Sequence, residues 1–207
     1  MVVGHEPRRG AGAGVGGAAF PAEFATAVAA MRDAVLRPEV TAEQMPAPQR
    51  IAPYAAALSG DVEVDGEEIG TGRLVLLHDP AGNDAWDGTF RCVGYVRADV
   101  EPEQAGDPML AEVAWTWLTE ALAAHHASFS AASGTVTCVS STSFGGMADE
   151  EPTAQVEIRA SWTPDPDEVG RHVEAWGELL CTAAGLPPVP DGVSVMPSRR
   201  GHRGPVH

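Results

Sequence analysis

Two long apolar segments joined by a short polar loop, within residues 74–99, constrain the fold of this chain more than any other feature. The first segment ends in LVLL at residues 74–77, which is apolar on both faces of a strand and predicts a central strand covered on both sides. The second, residues 89–99, alternates apolar with polar side chains, as a strand with one buried face does. The pair predicts two long antiparallel strands to which the remaining elements are added.

The same periodicities assign the rest of the chain. Alternation predicts a strand at residues 54–64, and Asp65-Gly66 is typical of a tight hairpin turn before a strand at 69–77. Further strands are expected at 135–143 and 154–162, and helices at 21–37, 108–126 and 167–184. The proline-containing segment to residue 50 is expected to be an extended connection. The order α-β-β-β-α-β-β-α predicts an α+β fold, with a five-stranded, mainly antiparallel sheet and helices mainly on one face.

The length of 207 residues and a hydrophobic content of 44% are those of one domain with a core. Residues 1–17 are mostly Gly, Ala and Arg, and residues 187–207 are rich in Pro, Gly and Arg. Neither end has apolar periodicity, so we predict disordered tails flanking a single domain at residues 18–186.

Charge and cysteine content exclude several classes of function. The formal net charge is −16, and five of the arginines fall in the predicted tails, so the core is more acidic still. Such a core repels nucleic acid and anionic lipid, although the basic tails leave a nucleic-acid accessory role open. No apolar run has transmembrane length, and the three cysteines form no C-x-x-C motif. We therefore expect a cytoplasmic protein with no membrane partner.

The loop after residue 77 is the best candidate for a chemical site. Its side chains could bind a small molecule or a metal, or act as an acid and a base. They are His78, Asp79, Asp84, Trp86, Asp87 and Arg91. The carboxylates lack the alternation of a calcium loop, no second histidine lies nearby, and Asp-Pro and Asp-Gly are ordinary turn dipeptides. A structural loop is therefore favoured, with no metal and no cofactor. The alternative is a ligand site with Trp86 as a stacking wall.

Arginines recur on the strand faces that point away from the predicted helices, together with Tyr95: Arg73, Arg91, Arg97 and Arg159. They could form an anion-binding surface on the sheet. Cross-strand salt bridges with Asp61, Glu63 and Glu157 are the alternative that we favour.

The helix at residues 108–126 is apolar on two adjacent faces, one of them formed by Trp115, Leu118 and Leu122. One sheet covers only part of a helix surface, so the second face requires the third helix or a second subunit. The chain contains no G-x-S-x-G, H-E-x-x-H or Walker A motif. These observations favour a non-enzymatic, chaperone-like or protein-binding module, homodimeric through this face, with a protein client as a further partner.

Several strings resemble a family of uncharacterised actinobacterial proteins, domain of unknown function (DUF) 3000. They are RPEV and PAPQRIAPYAAALS within 37–59, HDPAGNDAWDGTFR at 78–91, VEIRASWTPD at 156–165 and LLCTAAGLPP at 179–188. The resemblance spans almost the whole core and implies a cytoplasmic protein from a high-GC bacterium, without an assigned activity. The element order alone is similar to that of type III secretion chaperones, which are typically homodimers that hold an unfolded segment of a partner.

Overall fold

A computed structural model describes residues 20–188, in which one six-stranded antiparallel sheet carries its helices on one face. The helices are α1 (Ala22–Asp33), α2 (Pro102–Ala105), α3 (Leu110–Ala124) and α4 (Val169–Ala183). The strands are β1 (Val40–Met45), β2 (Tyr54–Val64), β3 (Glu67–Asn83), β4 (Gly88–Val100), β5 (Phe129–Ser141) and β6 (Thr153–Pro164). Their order across the sheet is β1-β2-β3-β4-β6-β5. The predicted tails lie outside the described residues, apart from Pro187 and Pro188.

The predicted α+β class and antiparallel sheet are confirmed, but the predicted number of five strands is wrong. Residues 40–45, expected to belong to an extended connection, form β1, which pairs with β2 from Val40 opposite Val62 to Met45 opposite Ala57. Prolines at positions 38 and 46 flank this segment without entering it, and an edge strand tolerates such neighbours. The short α2 is a second addition to the predicted order.

The two hairpins differ in how closely the sequence predicted them. Asp65 and Gly66 have φ of +54° and +86°, so they form the tight turn that the Asp-Gly dipeptide predicts. β3 continues beyond the predicted end at residue 77, because His78 still pairs with Phe90 of β4. Pairing is interrupted after His78 and resumes where Asn83 lies opposite Gly88. Part of the predicted loop is therefore strand.

The helices pack over a trough in the sheet where glycines allow close approach. At Gly60 an added Cβ atom would lie 2.6 Å from the Trp176 ring, and at Gly72 it would lie 2.7 Å from Leu180 and 2.6 Å from the Tyr95 carbonyl oxygen. Trp176 is fully buried in this trough. α4 lies between α1 and α3 and contacts both. No helix among residues 20–188 has the length and apolarity needed to cross a membrane.

The trough yields a stability prediction. Gly72→Ala is expected to lower the free energy of unfolding by about 1–3 kcal/mol, because its methyl group meets the backbone of β4 as well as Leu180. Urea unfolding followed by tryptophan fluorescence measures the change. Gly146→Ala is the control, since an added methyl group there would have no atom of residues 20–188 within 4 Å apart from its own chain neighbours. Equal stabilities of the two variants would contradict the packing described for the trough.

The face of the sheet opposite the helices, called here the open face, is partly apolar. Leu74 and Leu76 point to the helices, whereas Leu77 is buried and Val75 half-buried on the open face. β3 is an interior strand, as predicted, with β2 and β4 on either side. The apolar pattern on both sides of β3 therefore has two causes: Leu74 and Leu76 pack under the helices, and Val75 and Leu77 lie on the open face.

Candidate functional site

His78 lies in the core. Its side chain has no exposed surface, and its ring centroid lies 4.2 Å from that of Phe90 and 5.7 Å from that of Phe24. Nδ1 donates to the Thr89 carbonyl oxygen at 3.1 Å, while Nε2 lies 3.1 Å from a carboxylate oxygen of Glu23 on α1. The imidazole thus joins α1 to the sheet and is separated from the carboxylates of the loop.

The loop carboxylates take part in turn structure or lie in solvent. Asp79 accepts a hydrogen bond from the Ala81 amide at 3.0 Å, as Asn83 does from the Ala85 amide at 2.9 Å. Asp84 and Asp87 are exposed. Among residues 20–188 there is no group of three histidine, cysteine or acidic residues that could hold a metal ion. The loop residues chosen from the sequence are therefore not brought together.

Arg91 is the exception, because it is buried on the open face with only 7% of its surface exposed. Its guanidinium donates to the carbonyl oxygen of Ala131 at 2.9 Å and to hydroxyl oxygens of Thr163, Ser161 and Ser133 at 3.0, 2.8 and 3.3 Å. Within the described part of the chain no carboxylate lies within 4.0 Å of it. Burial lowers the pKa of this guanidinium, yet an arginine remains charged. The open face therefore contains a buried positive charge with neutral partners.

The other open-face arginines are distributed differently. Arg159 forms an ion pair with Glu157 on the same strand, and its guanidinium lies 5.5 Å from the centroid of the Tyr95 ring. The Tyr95 hydroxyl donates to Glu157 at 2.9 Å. Arg73 and Arg97 are exposed and form no ion pair with residues 20–188. The predicted cross-strand salt bridges are therefore wrong for these arginines, since the one ion pair that they form with a described residue lies within β6.

The side chains of the predicted interaction face on α3 pack within the chain. Leu118 and Leu122 have no exposed area, and Trp115 is half-buried. The Trp115 ring lies so close to β5 that a Cβ atom added at Gly134 would be 2.7 Å from it. α3 contacts α4 and β5 of the same chain, which bury Leu118 and Leu122 and leave Val113 on the other apolar face 42% exposed. The third helix, here α4, was one of the two covers that the sequence left open, whereas the contact with β5 was not foreseen.

The strand predicted at residues 135–143 is present as β5, but sequence reasoning missed its position at an exposed edge of the sheet. It forms one edge of the sheet and pairs with no strand of residues 20–188 other than β6, so no described residue pairs with the other side of its backbone. Its 13 residues, FSAASGTVTCVSS, include no charged residue and no proline, in a chain with 29 acidic residues. Large apolar side chains in the strand and the segment after it are exposed: Phe129 (38%), Val139 (46%), Phe144 (80%) and Met147 (55%). The absence of charge over this length was the available signal.

The opposite edge of the sheet shows what β5 lacks. β1 has only six residues, carries Glu43 and is flanked by prolines, which are devices that protect an edge strand from unwanted pairing. In β5 the one comparable device is a β-bulge between Ser130 and Ser133, where Ala131 has φ of +49°. Beyond the bulge, residues 133–141 pair regularly with β6, and their outer side is called here the β5 edge.

Comparison with known proteins bears on the family and not on the activity. A family model described as a protein of unknown function (DUF3000) matches residues 20–194. No curated protein and no solved structure matches the chain. The match covers well over half of the sequence and confirms the resemblance found in the sequence strings. The chain belongs to the DUF3000 family.

Proposed function

We propose that this protein is a non-enzymatic, protein-binding module that acts as a homodimer by pairing the β5 edges of two copies. The observation that carries the proposal is the β5 edge itself, a long, exposed and uncharged strand without the usual protection against pairing. The proposal keeps the homodimer expected from the sequence but moves its interface from α3 to β5.

Charge favours this edge as the place where two copies meet. With a formal net charge of −16, two copies repel each other over most of their surfaces. Like charges directly opposite each other destabilise a strand pair, and β5 has none to place there. In an antiparallel pair about a two-fold axis, the outward N–H and C=O groups of residues 133–141 find partners, and the two sheets become continuous.

The exposed apolar residues around β5 support the same contact. Val139 lies on the strand, and Phe144 and Met147 follow it in the connection to β6. Their burial against a second copy adds hydrophobic stabilisation to the backbone hydrogen bonds. In a monomer the same edge would accept an extended segment of a protein client by strand addition, so the oligomeric state distinguishes the two occupants.

The test is a charge at the centre of the β5 edge. Residue 137 is the midpoint of residues 133–141, so self-pairing with full overlap places Thr137 opposite its counterpart. Thr137→Glu is therefore expected to convert a dimer into a monomer of 21.5 kDa, as measured by light scattering after size-exclusion chromatography at micromolar concentration.

Thr41→Glu is the matched control. Thr41 is an exposed threonine on the other edge strand and lies opposite Asp61, as Thr137 lies opposite Glu157. We expect this variant to keep the dimer mass and both variants to keep the wild-type circular dichroism spectrum. A monomeric wild type, or the same mass for both variants, would exclude the β5 homodimer.

A further inference from the structure

We propose that a shallow basin on the open face, above β4, β6 and β5, binds a small organic carboxylate with an apolar body. The basin has a volume of about 420 Å³, within the range of small-molecule sites. Six side chains that point to the open face line it: Val93, Tyr95, Ser133, Thr135, Arg159 and Ser161. Ser133 and Thr135 belong to β5 as well, but strand pairing at the β5 edge uses backbone groups and leaves the face of the sheet open.

Arg91 supplies the charge from behind the basin. It donates to the hydroxyl oxygens of Ser133 and Ser161, which both line the basin. A serine oxygen that accepts a hydrogen bond from the guanidinium points its own hydroxyl hydrogen away from Arg91. The two serine oxygens are 3.4 Å apart and only one can donate to the other, so at least one hydroxyl hydrogen remains for a ligand. A carboxylate at this position is stabilised by the hydroxyl and by the positive charge behind it.

The balance of charge around the basin also favours an anion. Arg91 and Arg159 contribute two positive charges and Glu157, the ion-pair partner of Arg159, one negative charge, which leaves one positive charge. The Thr163 hydroxyl is already engaged with the carbonyl oxygen of Trp86 and does not compete for the ligand. Within residues 20–188, Arg91 has no carboxylate partner that a ligand would need to displace.

The remaining lining residues indicate the body of the ligand. Val93 is 38% exposed, although it lies on an interior strand, and the Tyr95 ring is half-buried beside it. Together they form an apolar wall next to the serine hydroxyls. A site with an apolar wall and few polar groups suits an amphipathic molecule better than an inorganic ion. The chemical class is therefore an aromatic or aliphatic carboxylate.

Titration of the full-length protein with benzoate, followed by amide chemical shifts in ¹H–¹⁵N NMR spectra, tests the proposal. We expect saturable shifts at the basin amides, including Gly94, Gly134 and Ser161, and no such shifts with benzyl alcohol, which has a similar body without the charge. Ser161→Ala removes a small hydroxyl group that accepts from Arg91, and Arg159→Gln removes an exposed charge. Each is expected to weaken benzoate binding about tenfold without unfolding the protein.

Three results would overturn the carboxylate site. They are the absence of saturation at millimolar benzoate, equal shifts with benzyl alcohol, and unchanged affinity in both variants. Inorganic phosphate that binds as tightly as benzoate would overturn the apolar part of the assignment. The benzoate titration of the wild type reports on the basin and the mass of Thr137→Glu reports on the β5 homodimer, so the two proposals can fail independently.

Discussion

Leu118→Ala is expected to lower the free energy of unfolding by about 2–5 kcal/mol and to leave the oligomeric mass unchanged. Leu118 has no exposed surface and belongs to the buried core, on the helix that packs against α4 and β5. Truncation removes apolar contacts and leaves a cavity, whose cost depends on how far the two helices can close over it. Urea unfolding and light scattering measure the two quantities on the same samples.

Val113→Ala is the control on the same helix. Val113 is 42% exposed, so its truncation is expected to change the free energy of unfolding by no more than about 0.5 kcal/mol. A Leu118→Ala variant with wild-type stability and half the wild-type mass would show that α3 is a subunit interface. That result would restore the α3 interface predicted from the sequence and exclude the described packing of α3.

Elements specified by neighbouring residues were predicted well. The Asp65-Gly66 turn follows from the φ values that Asp and Gly tolerate, and β2 has the bounds that its alternation predicted. α4 begins and ends close to the predicted residues 167 and 184, because its apolar positions recur at helical spacing and Gly185 follows it. The conformation of these elements is determined by residues within the element or next to it, so the local sequence is enough to predict them.

Elements that depend on distant partners were predicted less well. The short β1 is a strand only because β2 offers it an edge, and its alternation is too brief to stand out among prolines. β5 begins six residues earlier than the predicted residue 135, at Phe129, in a stretch of small residues interrupted by a bulge. β5 pairs with β6 and packs with Gly134 against Trp115. These are long-range contacts, which the hydrophobic periodicity of a segment cannot predict.

The candidate sites show the same division. Arg91 was selected from the sequence with the loop residues, but its contacts come from β5 and β6. Because β6 lies between β4 and β5 in the sheet, serines at positions 133 and 161 reach one guanidinium although they are far apart in the chain. His78 was assigned to the loop because nothing local shows that β3 continues to pair with Phe90. Of the features that form the two proposed sites, only the absence of charge in β5 was visible in the sequence alone.

Stability is expected to fall by about 2–3 kcal/mol as the pH is lowered from 6.5 to 4.5, because of His172. This side chain has no exposed surface, and burial lowers its pKa from 6.5 to about 4, with Glu168 and Asp165 offsetting only part of the effect. Its Nδ1 accepts a hydrogen bond from the indole N–H of Trp162 at 3.0 Å, which a protonated Nδ1 cannot do. In this window the unfolded chain binds a proton at His172 and the folded chain does not, so acid favours unfolding.

Urea unfolding at half-unit steps of pH measures this slope, with His172→Gln as the matched variant. Glutamine retains an oxygen that can accept from Trp162 but does not titrate, so its curve is expected to be flat over the window where the wild-type curve falls. The other histidines are common to both proteins, so the difference between the curves belongs to residue 172. The pKa of Glu39 is lowered by its hydrogen bond to Arg37, and its contribution is lost only below the ordinary value of 4.5, outside the window. A wild-type curve as flat as that of His172→Gln would mean that the imidazole takes up a proton in the folded core and that the Trp162 hydrogen bond does not hold its tautomer.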